Sequence, residues 1–314
     1  MSTSLENIVI GFDGFERKEG LPALAAALAK QHGAQLHVVH VAPEQPSQGW
    51  WSRDARSREI FASDIESRRD RLEQLVARPR KNGIEARTVI RHGVPHVELI
   101  REAMRVDADL VIVADELVDR RGRRGFGTVT RQLLRACPVP VLARRGLRKS
   151  KLRAIVASLD LEPTPGGPEL NQSILEMTAA LAERANGRVT VFHAWELWGE
   201  HLLHSKVGMS IDEIRSLQEE AKRAREDEAT RLLAATFLAG IDVRVELQEG
   251  EVRDLLPVFV EDKKVDLVVM GTVGRRGLRG AIMGNTAERV LNELSCSVLA
   301  VKPEGFQGPI DIAD

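Results

Sequence analysis

The chain has 314 residues, of which 43% are hydrophobic and 29% charged, and this length suits two domains of about 150 residues each. Its 45 basic and 46 acidic side chains leave a net charge of −1, which gives no general attraction to nucleic acid or anionic lipid. No apolar run reaches the roughly 18–20 residues of a membrane helix, and two distant cysteines exclude a disulfide framework or a zinc site, so we expect a reduced, soluble, cytoplasmic protein.

Ten short apolar runs occur along the chain, and each predicts a β-strand. In chain order they cover residues 7–12, 35–41, 86–91, 109–114, 139–144, 153–159, 188–194, 242–247, 266–271 and 296–301. Stretches with helical spacing separate them, as after Ser210, which forms a predicted capping box with Glu213. Strands that are apolar throughout and alternate with helices indicate a parallel sheet covered on both faces.

The second half of the chain repeats the first. The segment "GIEARTVIRHG" at Gly83 matches "GIDVRVELQEG" at Gly240, an offset of 157 residues. The same offset continues without a gap beyond this segment, so that "DLV" at Asp109 matches "DLV" at Asp266. Gly127 and Gly284 keep this offset of 157, whereas upstream it shortens to 153 between His40 and His193 and to 147 between Asp13 and Asp160. A constant register over this length indicates a tandem duplication.

Each copy therefore predicts a five-stranded, doubly wound α/β unit with a Rossmann-like parallel sheet. We assign residues 1–146 to domain 1, residues 152–304 to domain 2, and residues 305–314 to a polar C-terminal tail. In such sheets ligands bind beyond the carboxyl ends of the strands, where the strand order reverses.

A glycine-rich stretch, "GTVGRRGLRGAIMGNTAERV", follows the predicted strand 266–271. Gly271, Gly274 and Gly284 have the spacing G-x2-G-x9-G, and Gly284 opens a predicted helix. The first two glycines can adopt a positive φ and leave no Cβ in the way of a phosphate, and a helix N-terminus favours an anion. The stretch lacks the GK[ST] of a Walker A loop and does not follow the first strand, as a dinucleotide fingerprint would.

This pattern resembles the universal stress protein family, whose nucleotide-binding members carry G-x2-G-x9-G-[S/T] after the fourth strand. The resemblance covers nearly the whole chain, twice, and looks most like the tandem E-type members. It implies adenine-nucleotide α-hydrolase-like domains that form an internal pseudo-dimer, with 139–144 near 297–302, and it leaves a homodimer open.

The resemblance also implies a ligand, ATP or a related nucleotide in domain 2, with Mg²⁺ as a further candidate. The implied binding residues are Asp160, Ala194, Met270, Gly271, Gly274, Arg275, Gly284, Asn285 and Thr286. Asn285 stands where the family motif has serine or threonine. The sequence assigns no catalytic residue and no metal ligand.

The equivalent loop of the first copy has diverged. Ala114 and Leu117 replace the first two glycines, and Asp115 and Glu116 place negative charge where a phosphate would lie. Gly127 keeps the third glycine. Because two carboxylates repel a triphosphate, we expect no nucleotide in domain 1.

The histidines and tryptophans allow other hypotheses, which we consider weaker. His37 and His40 face opposite sides of one strand, and no third ligand accompanies the pair at 201 and 204, so we interpret the histidines as core or surface residues. All four tryptophans follow the second strand of a copy, at positions 50, 51, 195 and 198. Packing is the preferred interpretation there, and the wall of a ligand pocket is the alternative.

The sequence thus predicts a cytoplasmic stress-response protein that binds a ligand and is not an enzyme. One alternative is a weak ATPase, for which no base or water-positioning residue can be assigned. The other is a scaffold that holds an apolar or anionic metabolite, or a protein partner, without nucleotide.

Overall fold

The computed structural model describes residues 4–12, 20–44, 55–115, 126–145, 152–182, 187–197, 209–236, 241–273 and 283–312. These residues divide into two compact units. The N-terminal unit takes residues 4–145, 297–300 and 307–312 of that set, and the C-terminal unit takes 152–296 and 301–306.

Strands and helices alternate along both units. The strands are β1 (Asn7–Gly11), β2 (Gln35–Ala42), β3 (Ala86–His92), β4 (Leu110–Ala114), β5 (Val141–Arg144), β6 (Ala154–Ser158), β7 (Arg188–Trp195), β8 (Asp242–Glu249), β9 (Leu267–Gly271) and β10 (Ser297–Val301). The helices are α1 (Gly20–His32), α2 (Ala55–Lys81), α3 (Pro95–Arg105), α4 (Thr128–Ala136), α5 (Gly167–Ala182), α6 (Ile211–Ala235), α7 (Val252–Lys263) and α8 (Asn285–Glu293). The ten predicted strands and the capping box at Ser210 and Glu213 are confirmed.

The two units repeat one parallel sheet. In the N-terminal unit the order is β3-β2-β1-β4-β5, with all these neighbours parallel. In the C-terminal unit it is β9-β6-β7-β8, again parallel. The strand order reverses between β1 and β4, and equally between β6 and β9. The predicted doubly wound, Rossmann-like α/β fold is therefore confirmed.

The last strand of the chain, β10, pairs with β5. Residues 297–300 group with the N-terminal unit, because Val298, Leu299 and Ala300 pair antiparallel with Ala143, Leu142 and Val141 of β5. The two segments expected to meet, 139–144 and 297–302, thus do so through β5 and β10. The domain boundaries and the internal pseudo-dimer stay predictions.

Backbone details recur at the 157-residue offset. Oδ2 of Asp109 accepts hydrogen bonds from the N–H groups that open β1, and Oδ2 of Asp266 does the same at the start of β6. Asp107 and Lys264, each just beyond a helix end, are the non-glycine residues with positive φ among those described, at 46° and 51°. The duplication is therefore visible in local geometry as well as in sequence.

Candidate functional site

The carboxyl edge of the C-terminal sheet collects the residues predicted to bind a ligand. Ser158, near the end of β6, pairs with Phe192 of β7 on one side and with Met270 of β9 on the other. Two residues further along these three strands lie Asp160, Ala194 and Thr272. Because the strands are parallel, the chain segments after β6, β7 and β9 leave the sheet at one edge.

Asp160 lies in the loop after β6, and its main chain is held by an asparagine of α5. Asn171, 3% exposed, donates from Nδ2 to the Asp160 carbonyl at 2.7 Å and accepts the Asp160 N–H at Oδ1 at 3.1 Å. The Asp160 side chain accepts the N–H of Glu162 at 3.3 Å. Asn171 thus fixes the backbone from which the Asp160 carboxylate projects, and its only signal in the sequence is a polar residue inside an amphipathic helix.

The two ends of the glycine-rich loop lie side by side. Val273 and Met283 form an antiparallel bridge, and the N–H of Gly284 donates to the carbonyl of Thr272 at 3.0 Å. Gly284 is the N-cap of α8, and the first two helical residues, Asn285 and Thr286, are exposed. Of the remaining predicted loop residues, Gly274 and Arg275 lie outside the described part of the chain.

Gly271 packs closely against α5 and has no unusual backbone conformation. Its φ is outside the positive range, contrary to the conformation anticipated from the sequence, and Gly284 is also extended with φ −63° and ψ 143°. A Cβ on Gly271 would lie 2.8 Å from Cδ2 of Leu170 in α5. The absence of a side chain therefore lets α5 approach the end of β9 closely.

A buried lysine lies behind the start of this loop. Lys302, 6% exposed, follows β10, and its Nζ donates to Oγ1 of the fully buried Thr272 at 2.5 Å. The ammonium also lies 5.1 Å from the ring centroid of Phe306. The Lys302 ammonium thus lies beneath the end of β9, where it contacts Thr272, two residues after Met270.

The N-terminal unit has a carboxylate at the same place. Asp115 accepts the N–H of Gly127, the N-cap of α4, at 2.9 Å through Oδ1. Its Oδ2 accepts from Nε of Arg145 at 3.3 Å, and both side chains are almost fully buried, at 3% and 2% exposure. The Arg145 guanidinium in turn lies over the ring of Phe126 at 3.7 Å.

The two units therefore differ in one charge at equivalent positions. Asp115 corresponds to Thr272, Arg145 to Lys302, and Gly127 to Gly284 in the repeat. A helix N-terminus and a buried cation occur in both units, and each favours an anion. At the position between them the N-terminal unit has a carboxylate and the C-terminal unit a hydroxyl; that Asp115 opposes phosphate stays a prediction. Glu116 lies outside the described residues.

A second polar cluster lies against the Asp160 loop. His193, 2% exposed, places Nδ1 3.1 Å from the carbonyl of Leu159 and Nε2 3.9 Å from Oε1 of Glu162. Burial lowers the pKa of the His193 imidazole, and the Leu159 carbonyl and nearby carboxylates oppose this effect. The sequence alone indicated only a core or surface histidine, because this hydrogen bond depends on cross-strand register.

An arginine of α6 completes this cluster. Arg225 donates to Oε1 of Glu162 from Nε at 3.1 Å and from Nη2 at 2.5 Å, and its guanidinium lies 4.9 Å from the Trp195 ring. Trp195 is 5% exposed, so packing is its observed role. The other three tryptophans, the histidines at 201 and 204, and Asp13 lie outside the described residues.

Two further observations concern metal ligands and membrane-spanning helices. In the described part of the chain, no group of three or more His, Cys, Asp and Glu side chains is arranged to hold a metal ion. Helices there are also too short or too polar for any of them to cross a membrane.

Comparison with known proteins gives a consistent result over most of the chain. Residues 4–145 and 162–302 match the Universal stress protein family. Universal stress protein E from Salmonella typhi and that from Escherichia coli K12 are each 30% identical over 230 residues, which is 72% of this chain and 71% of theirs. An alignment of this length includes parts of both halves of the duplication.

Solved structures share the fold. A functionally unknown protein from Pseudomonas aeruginosa PAO1 aligns with a TM-score of 0.68 at 21% identity, over 96% of this chain and 93% of its own. A putative universal stress protein from Pseudomonas aeruginosa UCBPP-PA14 aligns with a TM-score of 0.67 at 22% identity, over 96% and 94%. A universal stress protein from Archaeoglobus fulgidus has been solved in complex with dAMP, but it aligns over only 43% of this chain with a TM-score of 0.31.

Proposed function

The chain belongs to the universal stress protein family, and from this premise we propose that its C-terminal unit binds ATP or a related nucleotide without efficient turnover. The proposed output is a change in conformation or in partner binding during stress. This proposal assigns the protein to the ligand-binding members of the family and leaves the N-terminal unit without nucleotide.

One observation carries the proposal: the same site contains a carboxylate in one unit and a hydroxyl in the other. In the N-terminal unit, the Asp115 carboxylate is bound by the Gly127 N–H and by buried Arg145. In the C-terminal unit, the cation is kept as Lys302 while the hydroxyl of Thr272 replaces the carboxylate. A ligand phosphate near this position would meet a buried cation and the N-terminus of α8, as the Asp115 carboxylate meets Arg145 and the N-terminus of α4 in the duplicate, except that the Gly284 N–H already donates to the Thr272 carbonyl.

The ligand would span the carboxyl edge of the sheet. We place the phosphates at Gly271, Gly274, Arg275, Gly284, Asn285 and Thr286, with Lys302 beneath them. The base would lie at Asp160, Ala194 and Met270. The register of β6, β7 and β9 supports this placement, because it brings the two groups of residues to adjacent strand ends.

Other parts of the proposal depend on the family and on the chemistry of the ligand. Mg²⁺ would enter bound to the nucleotide phosphates, since the described residues offer no metal cluster of their own. Cys137 and Cys296 are buried thiols, which suit the reducing cytoplasm. Domain boundaries at 1–146 and 152–304, and a second copy of the chain as partner, remain part of the proposal.

The test is a calorimetric titration of ATP into three proteins. The wild type and a Gly127→Val control should bind alike, while Gly284→Val should bind at least about tenfold more weakly, because its side chain enters the phosphate position. The two glycines are equivalent N-caps with similar backbone angles, so Gly127→Val is the matched control for valine at a helix N-cap. Equal affinity of Gly284→Val and wild type would overturn the phosphate assignment.

Two further experiments separate the alternatives. Phosphate release measured on purified protein over hours would detect a weak ATPase, for which no base is assigned among the described residues. Native mass spectrometry of freshly purified protein would reveal a different metabolite, and an apolar ligand in place of a nucleotide would favour the scaffold hypothesis.

A further inference from the structure

The loop that carries Asp160 is anchored by a histidine, and the N-terminal unit has the same anchor. His193 contacts the carbonyl of Leu159, the residue before Asp160. In the N-terminal unit, His40 contacts the carbonyl of Phe12 through Nδ1 at 2.8 Å. Phe12 and Leu159 have the same register, since the N–H of each bonds to the strand residue before the histidine. The anchor has thus been kept in both copies.

The N-terminal copy shows which nitrogen carries the proton. Nη1 of Arg68 lies 2.7 Å from Nε2 of His40. A guanidinium only donates hydrogen bonds, so Nε2 must accept, and the proton of the neutral ring must be on Nδ1. In this tautomer the His40 Nδ1–H donates to the carbonyl of Phe12.

The C-terminal copy has the same ring but different neighbours at both nitrogens. At Nδ1 the N–H of Leu161 lies 3.4 Å away, further than the Leu159 carbonyl at 3.1 Å, so the shorter contact favours a proton on Nδ1. Arg225, which corresponds to Arg68 in the repeat, donates to Glu162. Nε2 of His193 is buried and has no hydrogen-bond partner among the described residues, with Oε1 of Glu162 nearest at 3.9 Å. A second proton on the ring would therefore point at the carboxylate that Arg225 holds.

Resting on the proposed function, we propose that His193 is the positioning residue for Asp160 and acts only while its ring is neutral and protonated at Nδ1. In that state it holds the Leu159 carbonyl, while Asn171 holds the main chain of Asp160 from the other side. Protonation at Nε2 draws Glu162 away from Arg225 and shifts the loop.

Among the described residues, three charged groups act on the pKa of the imidazole. Asp160 and Glu162 of the loop favour the protonated ring, and Arg225 of α6 opposes it. On β8 the residue paired with His193 is the neutral Leu247. Burial has the largest effect and lowers the pKa of the ring, so the ring is neutral at pH 7 and gains its proton only in acid.

The test measures ATP affinity from about pH 8 to about pH 5 in four proteins. Wild-type affinity should fall by up to about tenfold per pH unit once the ring titrates. His193→Asn, whose Nδ2 can replace the Nδ1–H donor but does not titrate, should bind like wild type at pH 8 and lose this part of the pH dependence. His193→Ala should bind about tenfold more weakly at every pH, the scale of one buried hydrogen bond. His40→Asn is the matched control and should keep the wild-type profile.

Protonation of the phosphates affects all four proteins equally and cancels in the ratio of affinities. The proposal would be overturned if ATP affinity depended on pH in His193→Asn as it does in the wild type, or if His40→Asn lost that dependence. Ring ¹⁵N NMR of the ligand-free protein tests it independently of nucleotide binding. Failure to bind ATP would refute the proposed function alone, whereas a proton on Nε2 of His193 at pH 8 would refute the positioning role alone.

Discussion

Removal of the Asp115 carboxylate should destabilise the N-terminal unit strongly. Asp115 and Arg145 are 3% and 2% exposed, so Asp115→Ala leaves a guanidinium buried without this carboxylate and the Gly127 N–H without its acceptor. Breaking one partner of a buried ion pair costs about 3–5 kcal/mol. Asp115→Asn keeps an oxygen for Gly127, so it should cost about 1 kcal/mol less than alanine.

The measurement is urea unfolding combined with hydrogen exchange followed by mass spectrometry. Hydrogen exchange is needed because two compact units need not unfold in one transition. In Asp115→Ala the loss of protection from exchange should concentrate in β4, β5 and α4. The control is the double variant Asp115→Ala with Arg145→Met, which removes both charges and should recover most of the loss. Two results would contradict a stabilising buried ion pair between Asp115 and Arg145. One is a loss of less than about 1 kcal/mol of unfolding free energy in Asp115→Ala, and the other is a double variant whose loss equals the sum of the losses of the two single variants.

Two further predictions concern acid and packing. Burial lowers the pKa of His37, His96 and His193; the unfolded state therefore binds more protons below about pH 6.5, and the free energy of unfolding should fall as pH drops from about 7.5 to 5.5. A free energy of unfolding that is constant or rises over this range would contradict it. Gly271→Ala should cost about 0.5–1.5 kcal/mol, because its Cβ meets a δ-methyl of half-buried Leu170 at 2.8 Å and that side chain must leave its rotamer. Thermal unfolding should show that Gly271→Ala destabilises the Leu170→Ala variant less than it destabilises the wild type. Equal destabilisation of the two proteins would exclude the contact with Leu170 as the cause.

The fold was predictable from the sequence because aligning the two copies shows which residues of each are equivalent. Strands buried on both faces appear as continuous apolar runs, and the repeated "DLV" at Asp109 and Asp266 defines the offset between the copies. The pairing of β10 with β5 was expected from the family resemblance and not from the residues of the strand. A strand of five residues, four of them apolar, carries no mark of the neighbour it pairs with, and grouping residues 297–300 with the N-terminal unit depends on hydrogen bonds to β5.

The site was predictable in its location and less so in its details. Glycine spacing located the loop after β9, but the reason for Gly271 is the approach of Leu170, a contact between elements distant in sequence. Asp115 was expected to repel phosphate, yet its partner Arg145 lies thirty residues away and is brought near by β5. His193 had no local signal at all, because its role arises from the cross-strand register of β6 and β7.

The central claim is that the C-terminal unit binds nucleotide because it kept the buried cation and has a hydroxyl where its duplicate has a carboxylate. Calorimetric titration of ATP into the wild type and Thr272→Asp tests this most directly, since the substitution gives the C-terminal unit the carboxylate of its duplicate. We predict one nucleotide per wild-type chain and loss of binding in Thr272→Asp, with both proteins equally folded by circular dichroism. Two nucleotides per wild-type chain, or unchanged affinity in Thr272→Asp, would contradict the claim.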